Sequence, residues 1–539
     1  MSLFFVLLAS FIAGFPLLHW GLPPTHDGEY HVIRFYEFDK TLRSGDWYPR
    51  WAADFNNGYG VPLFNYVYPL PNYVASFLHI VGASFIGAFK LNMFFATIVG
   101  GLFFYLWAKQ FWGNIGGIIS SIFYTYSPYH FVDIYIRGSV GEVWALAFFP
   151  AFLWSSTVFF KERKPIFLVF SGIFLALIIF SHNILAVMFM PFAISYIGLL
   201  IYKEKNRKYL ILNSLYIILL GLGLSAIFWM PALWEVGYVT GLQIYDVTKN
   251  FPQLYQLLIP SWGAGFFDGN VQNQMSVQIG IANLIGIVGG ITALFLSIKR
   301  KNGHGVLIAF FIVWFSLIFF SMLQQSLFIW EHIKFMHYFQ FPWRFLSLEI
   351  LICSFLAGSV IKIFNSKILA AVFALLAFLL GIGYATPAYY HQREDTYYIS
   401  HSNFIDGTNS PGNYFNTIWF KNDLKKKKEK ISLTKEKIIS EIIQPTMYTF
   451  IISSDSNLDV TINTAYFPGW TVFVDKKEVK TKPDPNGLIS FYAPLSTHTV
   501  KVQLLNTPVR KLASLVSIIS FLSILIYTTS SRHDIMKSV

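Results

Sequence analysis

Cysteine is almost absent from this chain, because Cys353 is the single cysteine in 539 residues. One thiol cannot form an intramolecular disulfide or a cysteine-based zinc site, so any exposed domain must fold without such crosslinks. Charged residues are also scarce at 13%, whereas 55% of the residues are hydrophobic and 19% are aromatic. This apolar content is too high for one water-soluble core and excludes a cytosolic enzyme.

Nucleotide-binding signatures are missing as well. The sequence contains neither the GxxxxGK[ST] loop that binds phosphates nor a glycine-rich dinucleotide fingerprint. Nucleotide-driven transport and a soluble nucleotide-sugar site are therefore not indicated. The net charge of +12 requires no nucleic acid as a partner, because membrane proteins concentrate Lys and Arg on their cytoplasmic loops.

Hydrophobic runs close to the length of a membrane span recur along the chain. A transmembrane helix needs about 20 mostly apolar residues, and about twelve runs reach or approach this length. They lie near residues 3–20, 84–107, 114–127, 142–160, 165–181, 183–202, 210–230, 278–297, 306–323, 344–363, 368–386 and 510–529. The sequence thus predicts a polytopic α-helical membrane protein. The first run lacks a basic n-region and a small-residue cleavage site, so we expect an uncleaved span.

Basic residues occur on alternate connections between the predicted spans. If Met1 begins in the cytoplasm, the cytoplasmic connections and tail carry Lys109; Lys161, Arg163 and Lys164; Lys203, Lys205, Arg207 and Lys208; Lys299, Arg300 and Lys301; Lys362 and Lys367; and Arg532 and Lys537. Positively charged loops remain on the cytoplasmic side. We therefore predict a multi-pass protein of the cell (plasma) membrane with both termini in the cytoplasm.

A change of composition separates a predicted soluble domain from the membrane domain. Residues 1–386 form the predicted transmembrane domain, which includes a first outside loop at 21–83. Residues 387–508 gain polar residues and contain short stretches of alternating polarity separated by turn residues, a pattern typical of a small β-sandwich-like domain. We place this domain outside the cytoplasm, before a final membrane helix and tail at 509–539. Its basic run at 425–430 is expected to be a solvated helix face.

The first outside loop begins with a dense group of ionisable residues. Two carboxylates, Asp27 and Glu29, two imidazoles, His26 and His31, and the guanidinium of Arg34 follow the first span directly. A carboxylate at a membrane boundary can act as a general base for a substrate hydroxyl. In a helix that starts after Asp27, the residues Asp27, His31 and Arg34 share one face, whereas Glu29 points elsewhere. There are two alternatives. In the first, Asp27 caps a short helix and its carboxylate pairs with groups in the neighbourhood of Arg34. In the second, the carboxylates and imidazoles are the ligands of a metal ion.

The sequence resembles a known family of bacterial and archaeal polytopic membrane proteins. The motifs that carry the resemblance are Asp27-Gly28-Glu29-Tyr30-His31-Val32-Ile33-Arg34, Leu42-Arg43-Ser44-Gly45-Asp46-Trp47-Tyr48-Pro49-Arg50-Trp51, Gly58-Tyr59-Gly60-Val61-Pro62-Leu63-Phe64, Arg137-Gly138-Ser139-Val140-Gly141-Glu142, Ser181-His182-Asn183 and Gln340-Phe341-Pro342-Trp343-Arg344-Phe345. The family is described as pyruvoyl-tetrahydropterin-synthase-related membrane proteins, a name that does not imply pterin chemistry. It looks like part of the GT-C superfamily of membrane glycosyltransferases. The segment at 466–475 is similar to the outside domain of YfhO-type membrane proteins.

The resemblance implies a glycosyltransferase that acts at the outer face of the membrane. The donor would be a sugar on a polyprenyl-phosphate carrier, the acceptor a lipid-linked or cell-surface glycan, and membrane lipids would surround the protein. By its place at the family's acidic position, Asp27 is the expected base, and Glu29 is the second candidate. An inverting transfer also needs a cationic group that stabilises the phosphate leaving group.

Arginine is the expected phosphate ligand, because a guanidinium makes bidentate contacts with phosphate oxygens. Arg344 is the first candidate and Arg137 the second. As a structural alternative, both arginines extend to the membrane–water interface, or Arg344 pairs with Glu349 and Arg137 pairs with Glu142. His182 would orient a phosphate or hydroxyl, or else serve as a structural hydrogen-bonding group in a tight turn. The further candidate substrate-binding residues are His31, Arg34 and Glu142.

Two other classes of function remain open on the sequence. Many spans with buried ionisable residues also suit a transporter of lipids or oligosaccharides, although the large first outside loop with its acidic cluster favours an enzyme. A non-catalytic assembly factor for the cell envelope would use residues 387–508 to dock its partner. The sequence requires no cofactor and leaves open a divalent metal, together with the identities of the sugar and the acceptor.

Overall fold

The computed structural model describes residues 1–202, 204–241, 247–267, 273–400, 415–421, 424, 429–432 and 438–537, with side chains up to residue 527. The predicted helix face at 425–430 lies outside these residues, apart from Glu429 and Lys430.

Eighteen helices make up most of the described chain. They are α1 (Ser2–Gly14), α2 (Gly28–Arg43), α3 (Leu70–Ile80), α4 (Phe85–Thr125), α5 (Pro128–Phe131), α6 (Val140–Glu162), α7 (Pro165–Ser181), α8 (Asn183–Tyr202), α9 (Arg207–Leu224), α10 (Ala226–Trp234), α11 (Leu254–Leu258), α12 (Ile281–Arg300), α13 (Gly305–Met322), α14 (Leu327–His332), α15 (Leu346–Phe364), α16 (Lys367–Ile382), α17 (Asp395–Ile399) and α18 (Pro508–Lys537). Short 3-10 or π-helical turns join several of them.

The membrane domain has the predicted helical character. Within the described residues, eight helices are long and apolar enough to cross a membrane, and the segments Ser2–Leu18, Pro165–Ser181 and Lys367–Ile382 are shorter apolar helices. Each predicted run overlaps one of these helices, which confirms the polytopic helical fold. Two predicted runs fall within α4, whose backbone leaves the helical region at Gly113, with φ 74° and ψ −177°. Glycine adopts this positive φ without steric cost.

Helices α6 and α15 occupy the interior of the membrane domain. In the span Val140–Glu162 and in the span Pro342–Phe364, 94% of the most apolar window is buried, whereas only 11% is buried in Pro508–Tyr527 at the periphery. Apolar residues on all sides are typical of a helix surrounded by other helices. The carboxylates of Glu142 on α6 and Glu349 on α15 are therefore held inside the protein, whereas Lys161, Glu162 and Lys362 near the helix ends are exposed.

Among the residues that the structure describes, nine short strands precede the last helix, as the alternating pattern predicts. They are β1 (Ile431–Ser432), β2 (Ile438–Gln444), β3 (Met447–Ser454), β4 (Leu458–Ala465), β5 (Trp470–Val474), β6 (Lys477–Val479), β7 (Lys482–Pro483), β8 (Leu488–Ala493) and β9 (Ser496–Leu504). They form two antiparallel sheets with the strand orders β1-β4-β8-β7 and β2-β3-β9-β5-β6. Apolar side chains of both sheets, such as Phe450 and Phe491, share one core. We call this part the β unit.

The first outside loop packs directly against the β unit. Trp51 and Tyr59 of the loop are fully buried in the same hydrophobic core as the strands. The rings of Trp51 and Trp470 lie edge to face with centroids 5.4 Å apart, and the Ala465 N–H donates to the Tyr59 carbonyl at 2.8 Å. The loop and the β unit therefore share one core and lie on the same side of the membrane domain.

Candidate functional site

Asp27 is held in place by backbone hydrogen bonds to a distant segment. The N–H groups of His26 and Asp27 donate to the carbonyls of Ile136 and Arg137, each at 2.9 Å. Asp27 is the residue that precedes α2, and the His31 N–H donates to its carbonyl at 3.0 Å. The start of α2 is thus fixed beside the motif at 137–142, which lies more than a hundred residues further along the chain.

Two glycines of the motif at 137–142 allow this close approach. Gly138 has a φ of 66°, and a Cβ atom there would lie 2.3 Å from Thr25 Oγ1. A Cβ atom on Gly141 would lie 2.4 Å from the ring of Tyr68. Any larger residue at either position would have to push these neighbours away. The glycines therefore set the distance between the first outside loop and the beginning of α6.

The carboxylate of Asp27 and the guanidinium of Arg34 lack protein partners. The side chain of Asp27 caps no backbone N–H of α2, and it makes no hydrogen bond or ion pair with any residue that the structure describes. Arg34 likewise forms no ion pair with a described residue, and its buried Nε has no acceptor. The alternative role of Asp27 as a side-chain helix cap is thus not seen. Both charges are half-buried and available to a ligand.

His31 lies on the same face of α2 as these two charges. It is 3% exposed, and burial, with smaller contributions from the charges of Arg34 and His182, lowers the pKa of His31 to about 3. His31 is therefore neutral at physiological pH. Glu29 acts electrostatically on Tyr398 in α17 instead. Its position agrees with the helix spacing, which turns Glu29 away from this face.

His26 is occupied by a different contact. Its Nε2 donates to the Ala264 carbonyl at 2.7 Å, and its ring stacks on Phe266 with centroids 4.2 Å apart. Across the described parts of the chain, no three His, Cys, Asp or Glu side chains come together in a group that could hold a metal ion. The residues of the alternative metal site, Asp27, Glu29, His26 and His31, thus form no such group, and we derive no step that uses a metal.

Beneath Asp27, a buried ionic cluster is centred on Glu142 in the first turn of α6. Arg137 donates to both oxygens of this carboxylate at 2.7 Å and to Asp133 at 2.5 Å. Arg344 Nε lies 3.0 Å from Glu142 Oε1, and His182 Nε2 lies 3.7 Å from the same oxygen. Glu142 and Asp133 are fully buried. The cluster joins the turn before α6, the turn before α15 and the junction between α7 and α8.

The pairing of the two candidate phosphate ligands differs in part from the sequence expectation. Arg137 pairs with Glu142, which was its structural alternative. Arg344 also pairs with Glu142 rather than with Glu349, and both buried oxygens of Glu349 lack a hydrogen-bond donor among the described residues. Two guanidinium groups thus face two carboxylates, so the cluster carries little net charge. Its arginines are already engaged in buried ion pairs.

Tyr68 is a site residue that has no signature in the sequence, because it is one of 30 tyrosines in an aromatic-rich chain. Its ring lies 5.0 Å from the ring of His182. The charges of Arg34, Asp27, Glu142 and Arg137 all act on its hydroxyl, whose pKa is raised chiefly by burial. This hydroxyl makes no hydrogen bond with a described residue. Tyr68 therefore lies between the unpaired charges of α2 and the buried cluster.

Comparisons with known proteins give one matching family, one similar sequence and one solved structure with a partly similar fold. The family described as "6-pyruvoyl-tetrahydropterin synthase related domain; membrane protein" matches residues 64–389. An uncharacterized protein of Lactococcus lactis subsp. cremoris (strain MG1363) is 22% identical over 240 residues, which cover 42% of this chain and 38% of that protein. The cryo-EM structure of the arabinofuranosyltransferase AftD from Mycobacteria matches with a TM-score of 0.47 and 14% identity, over 71% of this chain and 26% of that chain. This chain thus spans well under half of either relative.

Proposed function

The chain belongs to the 6-pyruvoyl-tetrahydropterin synthase related family of membrane proteins, and we propose that it is an integral-membrane glycosyltransferase of the GT-C type. It transfers a sugar from a polyprenyl-phosphate carrier to a lipid-linked or cell-surface glycan at the extracytoplasmic face. One observation carries this proposal. Asp27 and Arg34 place an unpaired carboxylate and an unpaired guanidinium on one face of α2, at the edge of a buried ionic cluster.

These two charges fit the two needs of an inverting sugar transfer. Asp27 takes the proton of the acceptor hydroxyl while the hydroxyl oxygen forms a bond to the anomeric carbon. The bond from that carbon to the phosphate oxygen breaks, and the polyprenyl phosphate leaves with the electron pair. Arg34 stabilises the negative charge on the departing phosphate. The hydroxyl of Tyr68, which faces both residues, donates a hydrogen bond to the phosphate.

Arg137, Arg344 and His182 act as positioning residues in this proposal. Their shared partner Glu142 neutralises much of their charge, and a phosphate would have to displace a buried carboxylate to reach them. The cluster fixes the ends of three helices beneath Asp27 and thereby holds the site in one geometry. Glu29, the second candidate for the base, acts on Tyr398 rather than Tyr68. Its position therefore favours Asp27.

The shared core of the first outside loop and the β unit supports the proposed topology. Since Trp51 and Trp470 pack together, we infer that the first outside loop and the β unit share one side of the membrane. The basic connections favour the cytoplasm for the other side. We therefore assign residues 1–386 to the transmembrane domain, 387–508 to an extracytoplasmic domain and 509–539 to the last helix and cytoplasmic tail.

Turnover by the purified protein in nanodiscs tests the proposal. A panel of polyprenyl-phosphate sugars is offered to the wild type, Asp27→Asn and the matched control Glu29→Gln, with and without divalent metal. Loss of a general base lowers the rate by about 10² to 10⁴, so we expect this loss for Asp27→Asn with carrier binding retained. Glu29→Gln is expected to stay within a few-fold of the wild type.

Three results would replace the proposal. If a folded Asp27→Asn variant turned over the donor as fast as the wild type, Asp27 would be excluded as the general base. A labelled substrate that crosses the bilayer of proteoliposomes without a new glycosidic bond would indicate a transporter. Absence of both turnover and carrier binding, together with a protein partner captured by the β unit, would indicate an assembly factor. Point variants are preferable to deletion of 387–508, because the deletion would expose Trp51 and Tyr59.

A further inference from the structure

Two polar cavities lie between the first outside loop and the β unit, away from the site at Asp27. The first, of about 220 Å³, is lined by Lys40, Asp54 and Tyr448 among others. The second, of about 290 Å³, is lined by residues that include Tyr48 and Gln503. Gln444, the last residue of β2, lines both cavities. The turn from β2 to β3 therefore lies between the two cavities, which together we call the groove.

The walls of these cavities are held by tertiary contacts. Lys430 Nζ donates to the Gly58 carbonyl at 2.8 Å. At the neighbouring residue, the Tyr59 carbonyl accepts the backbone hydrogen bond from the Ala465 N–H. On the other side, Arg50 donates to the Ile227 carbonyl at 3.0 Å. A groove whose walls are fixed in this way needs little ordering when a ligand binds.

Several neutral polar groups in the groove lack protein partners. The hydroxyl of Tyr48 is buried and has no hydrogen-bond partner in the part of the chain that the structure covers. The side-chain amides of Gln444 and Gln503 also make no hydrogen bond to described residues. A buried polar group without a partner is costly, so the Tyr48 hydroxyl is expected to meet a partner in a ligand or in water.

Most charged side chains that line the groove already have protein partners, since Lys430 and Arg50 donate to backbone carbonyls and Asp46 accepts from the Tyr48 N–H at 3.3 Å. Lys40 forms an ion pair with Asp54 at 2.5 Å, and buried Arg510 pairs with Glu235 at 2.9 Å. The guanidinium of Arg50 lies over the ring of Tyr48, 4.5 Å from its centroid. The groups that remain available are therefore a hydroxyl, amides and aromatic rings. This combination suits a neutral polyhydroxylated ligand better than a phosphate or sulfate.

Helix α2 connects the groove with the proposed catalytic site. Asp27 precedes its first residue, and Lys40 in its last turn lines the first cavity. At 1.5 Å per residue, the 13 positions between them correspond to about 20 Å. We propose that the groove binds the non-reacting part of a neutral oligosaccharide or polysaccharide acceptor, whose other end reaches Asp27. This inference rests on the proposed transferase and names its acceptor class.

Binding to the full-length protein in nanodiscs tests the inference without turnover. The probes are an array of neutral hexasaccharides, including maltohexaose and mannohexaose, and a sulfated heparin hexasaccharide. We expect a neutral probe to bind, and Gln444→Ala and Tyr48→Phe each to weaken it about 5- to 10-fold, the effect of one lost hydrogen bond. The exposed Gln392, which lines neither cavity, provides the matched control Gln392→Ala, which should bind as the wild type does.

Three outcomes would overturn the acceptor groove. They are no binding of any neutral probe at millimolar concentration, wild-type affinity in both groove variants, and tighter binding of the sulfated probe. Failure of the proposed function gives a different pattern. If a neutral probe binds in the groove but no donor is turned over, the result supports the binding groove and contradicts the proposed transferase. If turnover depends on Asp27 but no neutral probe binds, the result supports the transferase and contradicts the acceptor groove.

Discussion

The contact between Gly138 and Thr25 provides a controlled test of how the site is positioned. Gly138 has a φ of 66°, and in Gly138→Ala the new methyl group would lie 2.3 Å from Thr25 Oγ1 and 2.8 Å from Thr25 Cβ. Gly82 has a φ of 106°, and a Cβ atom added there would meet no other atom within 4 Å. Gly82→Ala therefore imposes backbone strain at least as great, without the clash.

Both substitutions strain the backbone, and only Gly138→Ala adds a steric clash. A left-handed backbone costs an L residue about 1–2 kcal/mol in either variant. Overpacking adds about 1–3 kcal/mol at Gly138, so its free energy of unfolding should fall by about 2–5 kcal/mol. Thr25 precedes Asp27 by two residues, and a displacement of about 1 Å at a catalytic group can reduce the rate about 100-fold. Gly82→Ala should therefore keep near wild-type turnover, whereas Gly138→Ala should lose most of it.

Unfolding in detergent and turnover in nanodiscs measure the two effects separately. Adding Thr25→Gly to Gly138→Ala removes both clashing atoms, so the double variant should recover the steric part of the loss. Equal destabilisation by Gly138→Ala and Gly82→Ala, or no recovery in the double variant, would refute the reasoning. The distance between the two segments would then not depend on Gly138.

Three further predictions concern charges and one hydroxyl. Glu142→Gln leaves two buried guanidinium groups without their shared anion and should cost about 3–5 kcal/mol in detergent unfolding, whereas the surface-pair control Glu162→Gln should cost at most about 1 kcal/mol. Burial raises the pKa of Glu37 from 4.5 to about 8 and lowers that of Lys430 from 10.5 to about 8. Glu37 makes the native state bind one proton more than the unfolded chain between about pH 4.5 and 8, and Lys430 makes it bind one fewer between 8 and 10.5, whereas buried His31 opposes Glu37 below about pH 6.5. Stability should therefore fall from about pH 6.5 to 8 and rise from 8 to 10.5. Denaturation across this range should lose the falling limb in Glu37→Gln and the rising limb in Lys430→Met, and a flat wild-type profile from pH 6.5 to 10.5 would contradict both. Tyr68→Phe should lower turnover about 10- to 100-fold with an unchanged unfolding midpoint, and unaltered kinetics would exclude its hydrogen bond to the phosphate.

The membrane helices were predictable because their pattern is local. A helix in lipid satisfies its own backbone hydrogen bonds, so each span is recorded in one continuous apolar run. Even the break in α4 at Gly113 appears in the sequence as two runs. The alternation in β3 and β5 was readable for the same reason, since every second side chain of a strand faces the core. The packing of Trp51 against these strands was not readable, because it joins segments from opposite ends of the chain.

The candidate site was predictable only where it depends on one helix. The spacing of Asp27, His31 and Arg34 places them on one face of α2, as the sequence indicates. The choice of Glu142 over Glu349 as the partner of Arg344 depends on how α6 and α15 both pack against α4. Tyr68 enters the site for a similar reason, since Gly141 leaves room for its ring. Such contacts have no signature in a single sequence.

The division of charge between α2 and the buried cluster explains how one site can be both rigid and reactive. Arg137 and Arg344 share Glu142, and paired charges in a low-dielectric interior hold their geometry because separation would leave each one unsolvated. Those same pairs make the two arginines poor ligands for an incoming phosphate. A transferase with only this cluster would have no free cation for its leaving group. In the proposed reaction, Arg34 supplies that cation at the edge of the cluster, where it is half-buried and has no ion pair with a described residue, and Asp27 supplies a base on the same helix face. In this proposal the rigid cluster holds the site in one geometry, while the two unpaired groups of α2 meet the substrates.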